Sequence, residues 1–338
     1  MATLDDVAKH AGVAASTVSY VLSGKRPVSE ETRRRVLDSI ALLNYHPNAG
    51  ARALASARSN VLAMFVPLRP EQYVPVMMEI AIGVTTTARD YGYDVLLLTN
   101  EEGIAGIKRV VSSARADAVI LTDVTMDDER VPTLRSSGVP AALIGVPAEP
   151  AGLDCVDLDF GAAGRSCVEH LADLGHREIA FIGESEAVYR RHVGFAERTL
   201  AGVRAAAAEA GVGLVHRPCE SSFESAAGVL ARVLEERPHT TGLIIQNEAV
   251  IPPLLSLLRT AGRAVPEDVS IVALCPDQIA EQTSPRLTSV TMPATELGVR
   301  AVAAVMRRLT APAEDGGQVE LLPPVLTIRG STMRSGEQ

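Results

Sequence analysis

The sequence predicts an α/β protein: a small all-helical head, a linker, and a body of two doubly wound, parallel-sheet subdomains. Three observations carry this. The first 59 of the 338 residues show helical periodicity only. From residue 60 onward, short apolar runs alternate with helical stretches, the pattern of strands buried on both faces. The body spans about 270 residues, too many for one such sheet, so two are expected.

In the head, Leu4–Ala11 reads as a short amphipathic helix, Ser16–Leu22 as a second and Glu30–Leu43 as a longer third. Tyr45-His46-Pro47 ends the third, because a residue before proline avoids the helical region. In the body, apolar runs lie at 61–67, 94–99, 118–122, 141–145, 179–183, 242–246 and 270–275. Helices such as Pro75–Tyr91, Gly161–Leu174 and Thr199–Ala210 fall between them.

Composition narrows the class. Hydrophobic residues are 47% and charged residues 22%, ordinary for a globular chain and wrong for a disordered one. No run approaches the roughly 18 apolar residues of a membrane helix. The start MATLDDVAKHAG has acids where a signal peptide has bases, so a cytoplasmic protein is expected. The four cysteines form no C-x-x-C, so neither metal nor redox cofactor is expected. The net charge of −9 is uneven: residues 1–59 hold eight Lys/Arg against five Asp/Glu, which is +3, and the remainder is −12. A basic head on an acidic body suggests an anionic partner at one end.

The head's spacing fits a helix-turn-helix. Val7, Ala8, Val13, Val18 and Val21 fall where two crossed helices touch, and Gly12 falls in the turn. The second helix then exposes Ala15, Ser16, Ser19 and Tyr20, the side a recognition helix presents to the major groove. Any small helical hairpin needs a similar turn and contacts, so the pattern alone leaves a purely structural hairpin open.

Longer motifs resemble those of the LacI/GalR family of bacterial transcriptional regulators. The family's D-V-A-x-x-A-G-V-S-x-x-T-V-S-x-V-L-N-G is matched by Asp6, Val7, Ala8, Ala11, Gly12, Val13, Thr17, Val18, Ser19, Val21, Leu22 and Gly24. Val28, Ser29, Thr32, Arg33 and Val36 follow its next motif, and Leu43, Tyr45, Pro47 and Asn48 the one after. The likeness continues at 156–183, 265–274 and 321–332. It implies a head at 1–46, a hinge helix at 47–59 and a periplasmic-binding-protein-like body at 60–338. The body would divide into 60–158 plus 291–320 and 159–290 plus 321–332. The implied function is operator DNA binding as a homodimer, with repression modulated by a small-molecule effector. A dimer and not a tetramer is expected, since STMRSGEQ after the last strand does not resemble the leucine-heptad tail that makes tetramers of some relatives. DNA contacts are implied for Leu4, Ala15, Ser16, Thr17, Ser19, Tyr20, Ser23, Ser29, Tyr45, Asn48, Arg52 and Leu54.

Departures from the family matter. Ala14 replaces the usual Ser, which removes an N-cap worth about 1 kcal/mol. Tyr20 stands where many relatives carry Arg; it cannot make the bidentate contact to guanine, and could instead pack on the sugar-phosphate backbone. Ala49–Ser56 could form only two helical turns, marginal in water, and Gly50 weakens them further. Leu54 is a lone large apolar residue among Ala and Ser and aligns with a leucine that wedges between base pairs. The other reading of 47–59 is a passive linker.

In the body, the resemblance puts Tyr73, Arg198, Thr199, Phe223, Asn247, Cys275 and Asp277 in or near the cleft, against ordinary loop roles for each. Cys275 occupies the place of an Asp that holds ligand hydroxyls in sugar-binding members, and the chain has no Trp. Both weaken a sugar ligand. A vestigial cleft, with control by a protein partner, is the alternative. No H-E-x-x-H, G-x-S-x-G or P-loop occurs, so no enzyme is expected.

Overall fold

The described residues of the computed structural model are 2–23, 26–45, 58–69, 73–100, 102–310 and 316–336. The chain forms two compact units, Met1–Ser59 and Asn60–Gln338.

In the first unit, α1 (Leu4–Ala11) opens with a capping box: Asp6 N donates to Thr3 Oγ1, and Thr3 N donates to Asp6 Oδ2 at 2.9 Å. The sequence reading overlooked this pair. Gly12 ends α1 at φ +65°, a left-handed conformation natural to glycine. There follow α2 (Ala15–Ser23) and α3 (Glu30–Leu42), the latter capped by Ser29. Val7, Ala8, Ala11, Val18, Val36 and Tyr45 form the core where these helices meet. His10 Nδ1 lies 2.9 Å from Ser39 Oγ, whose hydrogen goes to the Arg35 carbonyl. The hydroxyl therefore accepts from His10, which ties α1 to α3.

The second unit contains two sheets. Strands β1 (Val61–Phe65), β2 (Asp94–Leu98), β3 (Ala118–Leu121), β4 (Ala141–Ile144) and β5 (Asp154–Leu158) build the first. Strands β6 (Glu178–Gly183), β7 (Gly213–Pro218), β8 (Gly242–Ile245), β9 (Ser270–Cys275) and β10 (Thr288–Thr291) build the second. After β10 the chain returns to add β11 (Val319–Leu322) to the first sheet, then crosses again to add β12 (Leu326–Thr327) to the second. The orders are β11-β5-β4-β3-β1-β2 and β12-β10-β9-β8-β6-β7. Every pairing is parallel except β10 with β12. The sequence-based division at 320/321 falls inside β11, which pairs with β5 along its whole length. The last crossover therefore lies at 323–325.

Both faces of each sheet are covered. Leu62 and Met64 point to the core beneath α4 (Val74–Asp90) and α13 (Ala294–Thr310). Ala63 and Phe65 point to the core beneath α5 (Gly103–Ser112) and α6 (Arg130–Ser137). In the second sheet Ile179 and Phe181 face α7 (Phe160–Asp173) and α9 (Gly194–Ala210), while Ala180 and Ile182 face α10 (Phe223–Glu236) and α11 (Ile251–Thr260). Two further helices, α8 (Glu186–Arg190) and α12 (Asp277–Gln282), are short. This alternation explains the near-continuous apolar runs. The α4–α13 crossing is very close: a Cβ on Gly83 would meet the Thr295 carbonyl oxygen at 2.5 Å, and one on Gly298 that of Ile80 at 2.5 Å. Among the described residues no helix is long and apolar enough to cross a membrane.

Candidate functional site: a recognition helix and an enclosed cleft

In the head, residues 16, 19, 20 and 23 of α2 share one helical face. Ser16 and Ser19 are exposed, and Ala15, Thr17 and Tyr20 are half-buried. The Arg26 guanidinium carbon sits 5.2 Å from the centre of the Tyr20 ring, a cation–π contact that restrains Tyr20. Sequence reading did not single out Arg26. The Ala14 carbonyl accepts from Thr17 N and Val18 N, so α2 starts on backbone bonds. Three predicted contact residues have structural work. Leu4 packs against the head core, the Tyr45 ring is buried in it, and Ser29 Oγ caps α3 by accepting from Thr32 N at 3.3 Å. Ser29 stays exposed and Tyr45 is 8% exposed, so Ser29 is the one of these with an open side chain. Asn48, Arg52, Leu54 and most of the hinge lie outside the described residues, as does the Ser23 side chain.

In the body, both sheets turn their strand carboxyl ends to a common cleft, the position where open parallel sheets bind ligands. It holds a cavity of about 110 Å³. Its polar lining comes from just past the strands: Thr122 and Asp123 after β3, Asp157 on β5, Glu184 after β6, and Gln246, Asn247 and Glu248 after β8. Tyr73, Val76, Met77, Ile80, Phe160, Phe195, Leu274, Met292 and Leu297 supply apolar surface.

One side of the cleft is held shut by backbone. Thr125 bridges Val193, Met126 N donates to the His192 carbonyl at 2.8 Å, and Gly194 N donates to that of Val124 at 3.0 Å. Asp123 receives Arg69 from the first subdomain at 3.0 Å and Arg191 from the second at 2.8 Å. Asp123 and His192 sit at φ +52° and +51°, a left-handed conformation that non-glycine residues adopt at a cost.

The predicted cleft residues divide. Tyr73 stands just before α4, at its N-cap position, and lines the cavity; burial and then the nearby Glu248 push its hydroxyl pKa upward. Asn247 lines the cavity, but its amide is occupied: Nδ2 donates to the Cys219 carbonyl at 2.8 Å and Oδ1 accepts from Ala249 N at 3.1 Å. Thr199 is buried behind the lining and Arg198 reaches toward the Pro147 carbonyl, both outside the cavity wall. Phe223 begins α10 with 59% of its surface exposed, away from the cavity. The Cys275 thiol is buried and pushed up to about 12 by that burial. Asp277 instead accepts from Arg329 at 2.8 Å and Thr291 at 3.0 Å. The guanidinium in the cavity belongs to Arg191, not to Arg198, because α9 begins only at Gly194 and carries Arg198 past the opening. Asp123, Asp157, Glu184, Arg191 and Gln246 went unselected. Their position one to three residues from a strand end was the available signal for most of them.

Asp157 is 4% exposed, and its hydrogen bond from Leu158 N at 3.0 Å does not offset burial, which pushes the carboxyl up to about 7. A folded pKa raised above the unfolded 3.8 means stability declines as pH climbs between those values, with the whole cost present above about 7. Asp157→Asn keeps the acceptor for Leu158 N. It is expected to raise the melting temperature by roughly 5 °C at pH 8 and by about a quarter as much at pH 4.5. Calorimetry at both values checks this; an equal shift at both means the charge is not the cause.

Comparison with known proteins follows the same division. The family described as "Bacterial regulatory proteins, lacI family" matches residues 3–48, and "Periplasmic binding protein-like domain" matches 168–332. The chain is 30% identical to the HTH-type transcriptional regulator CelR of Thermobifida fusca, over 91% of this chain and 92% of that one. It is 29% identical to the HTH-type transcriptional repressor PurR of Photobacterium profundum, over 98% of each. Among solved structures, the Lac repressor dimer bound to operator and the anti-inducer ONPF aligns with a TM-score of 0.84 at 25% identity, over 98% of this chain and 99% of that one. The CelR–cellobiose complex aligns at 0.70 and 27% identity, over 98% and 100%.

Proposed function

The chain belongs to the lacI family of bacterial regulatory proteins, and from that premise we propose a mechanism for it as a DNA-binding transcriptional regulator. It works in the cytoplasm as a repressor. Two heads of a homodimer read the half-sites of a palindromic operator, and a small molecule in the body's cleft sets the affinity. The observation that carries the effector role is the enclosed cavity at the strand carboxyl ends, apolar with a few placed polar groups, which is the form of a ligand site. That enclosure counts against a vestigial cleft governed by a protein partner. Similar solved structures include a Lac repressor dimer bound to operator and a CelR–cellobiose complex, and both support the general arrangement.

The dimer face we assign is α4. Val74, Met78 and Ile82 recur every four residues along it and are 42%, 42% and 57% exposed, an apolar stripe on a helix whose other face is buried. On the DNA side, Ser16, Ser19 and Tyr20 read bases, Ala15 suits a thymine methyl, and Thr17 and Ser29 serve phosphate. Asn48 and Arg52 extend that contact through the hinge.

The effector role is tested by a thermal-shift screen of metabolites followed by operator gel shifts. A compound that raises the melting temperature should also change operator affinity; a stabiliser that leaves it unchanged defeats the role. Base reading is tested by Tyr20→Arg. Arginine offers a bidentate contact to guanine worth about 1–3 kcal/mol, so the preferred half-site should shift by roughly 10- to 100-fold toward a G-bearing variant. Unchanged preference would assign Tyr20 to the sugar-phosphate backbone.

A further inference from the structure

The cavity wall holds buried acceptors that nothing among the described residues satisfies. Gln246 shows this most sharply. Thr199 Oγ1 donates its one hydrogen to the Phe195 carbonyl at 2.8 Å, so it can only accept from Gln246, 3.1 Å away. That gives the amide nitrogen to Thr199 and leaves Gln246 Oε1 as an acceptor with no partner among the described residues, on a lining residue only 3% exposed. A buried acceptor left unmade calls for an occupant that donates.

Two carboxyls line the same cavity from opposite subdomains. Asp157 and Glu248 are 4% and 9% exposed, and among the described residues neither takes part in an ion pair. Arg198 acts on Asp157 through its charge without an ion pair, and Asp159 opposes it. Glu248 faces Tyr73 and Cys275, neither of them cationic. Three of the lining donors are committed: Thr122 Oγ1 donates to the Phe65 carbonyl at 2.9 Å, Asn247 Nδ2 to that of Cys219 at 2.8 Å, and Arg191 Nη1 to Asp123 at 2.8 Å. A hydroxyl-rich ligand needs protein donors as well as acceptors, and this wall offers few. A buried carboxyl without a partner either takes up a proton or is met by a cation.

We propose that the cavity takes a small organic cation: a primary ammonium on an apolar body, donating N–H bonds to Asp157, Glu248 and Gln246 Oε1. This rests on the cleft being the effector site and names the ligand class that fits it. Burial pushes both carboxyls up to about 7. An ammonium therefore displaces protons at pH 6 and almost none at pH 8. Its affinity should rise about 10-fold over that interval if one carboxylate is the counter-ion, and about 100-fold if both are.

The test is titration calorimetry on the full chain with benzylamine, cyclohexylamine and butylamine at pH 6 and pH 8, beside benzyl alcohol, cyclohexanol and butanol. The expected result is that at least one amine binds 10-fold or more tightly at pH 8 than at pH 6, while its alcohol binds at least 10-fold more weakly and without pH dependence. Asp157→Asn and Glu248→Gln, each checked for an intact melting transition, should flatten that profile; either one suffices if the other fails to fold. No heat from any amine, equal binding of amine and alcohol, or an amine affinity flat from pH 6 to 8 overturns the proposal. Operator gel shifts with the bound amine separate the two readings. Amine binding that leaves operator affinity unmoved keeps the ligand class and defeats the effector role. A neutral compound that binds the cleft in place of the amines and moves operator affinity keeps the effector role and defeats the ligand class.

Discussion

Replacing Ile82 by Asp is expected to turn the dimer into a monomer and to weaken operator binding by about 10²–10⁴-fold. One head on one half-site binds weakly. Joining two heads makes the second contact intramolecular, and the gain is lost once the join is broken. Ile82 is the most exposed member of the α4 stripe at 57%, so a charge there leaves the subdomain core intact. Val84, one turn face away and fully buried, holds α4 to the sheet. The body's melting transition at high dilution should therefore be unchanged. Sedimentation and gel shift on the same sample check both parts. A monomer that keeps wild-type operator affinity would mean the heads do not act together; an intact dimer would place the interface on another face.

Leu54→Ala is expected to weaken operator binding by about 10- to 100-fold, reduce the bend in the DNA and leave the melting temperature of the body unchanged. Leu54 lies outside the described residues. A large apolar side chain among Ala and Ser has no local core to join. Wedged between base pairs, it unstacks a step at a cost of a few kcal/mol, offset by the contacts the bend allows. Non-specific binding, mainly electrostatic, should barely change. A bending assay and calorimetry on both proteins decide the matter. An unchanged bend with a lowered melting temperature would put Leu54 against the body.

Much of the fold was legible because its causes are local. Leu62 to Phe65 alternate between two cores, and strands buried on both faces leave an apolar run that any reader sees. The strands that escaped notice lack that mark. Gly213–Pro218 is half-buried throughout, and Val319–Leu322 is an exposed edge strand with a Glu in it. The head was readable because Val7, Val18 and Gly12 each answer one packing or backbone demand. The Thr3–Asp6 box was equally local and was missed because the acids drew attention as charges. The cleft was the least legible part. Its wall brings together residues from both halves of the body, and a residue's place in it depends on where its helix begins. Arg191 enters the cavity and Arg198 does not, a difference of seven positions that motif matching alone did not separate.

The central claim is that two copies of this chain read a dyad in DNA. Selection of bound sequences from a random pool by the full chain, at fixed salt, tests it most directly. The account predicts enrichment of an inverted repeat with two equal half-sites, and an affinity for it that falls with salt as expected for roughly 6–10 phosphates neutralised per dimer. Enrichment of a single unsymmetrical half-site, or no enrichment over the starting pool, would contradict it.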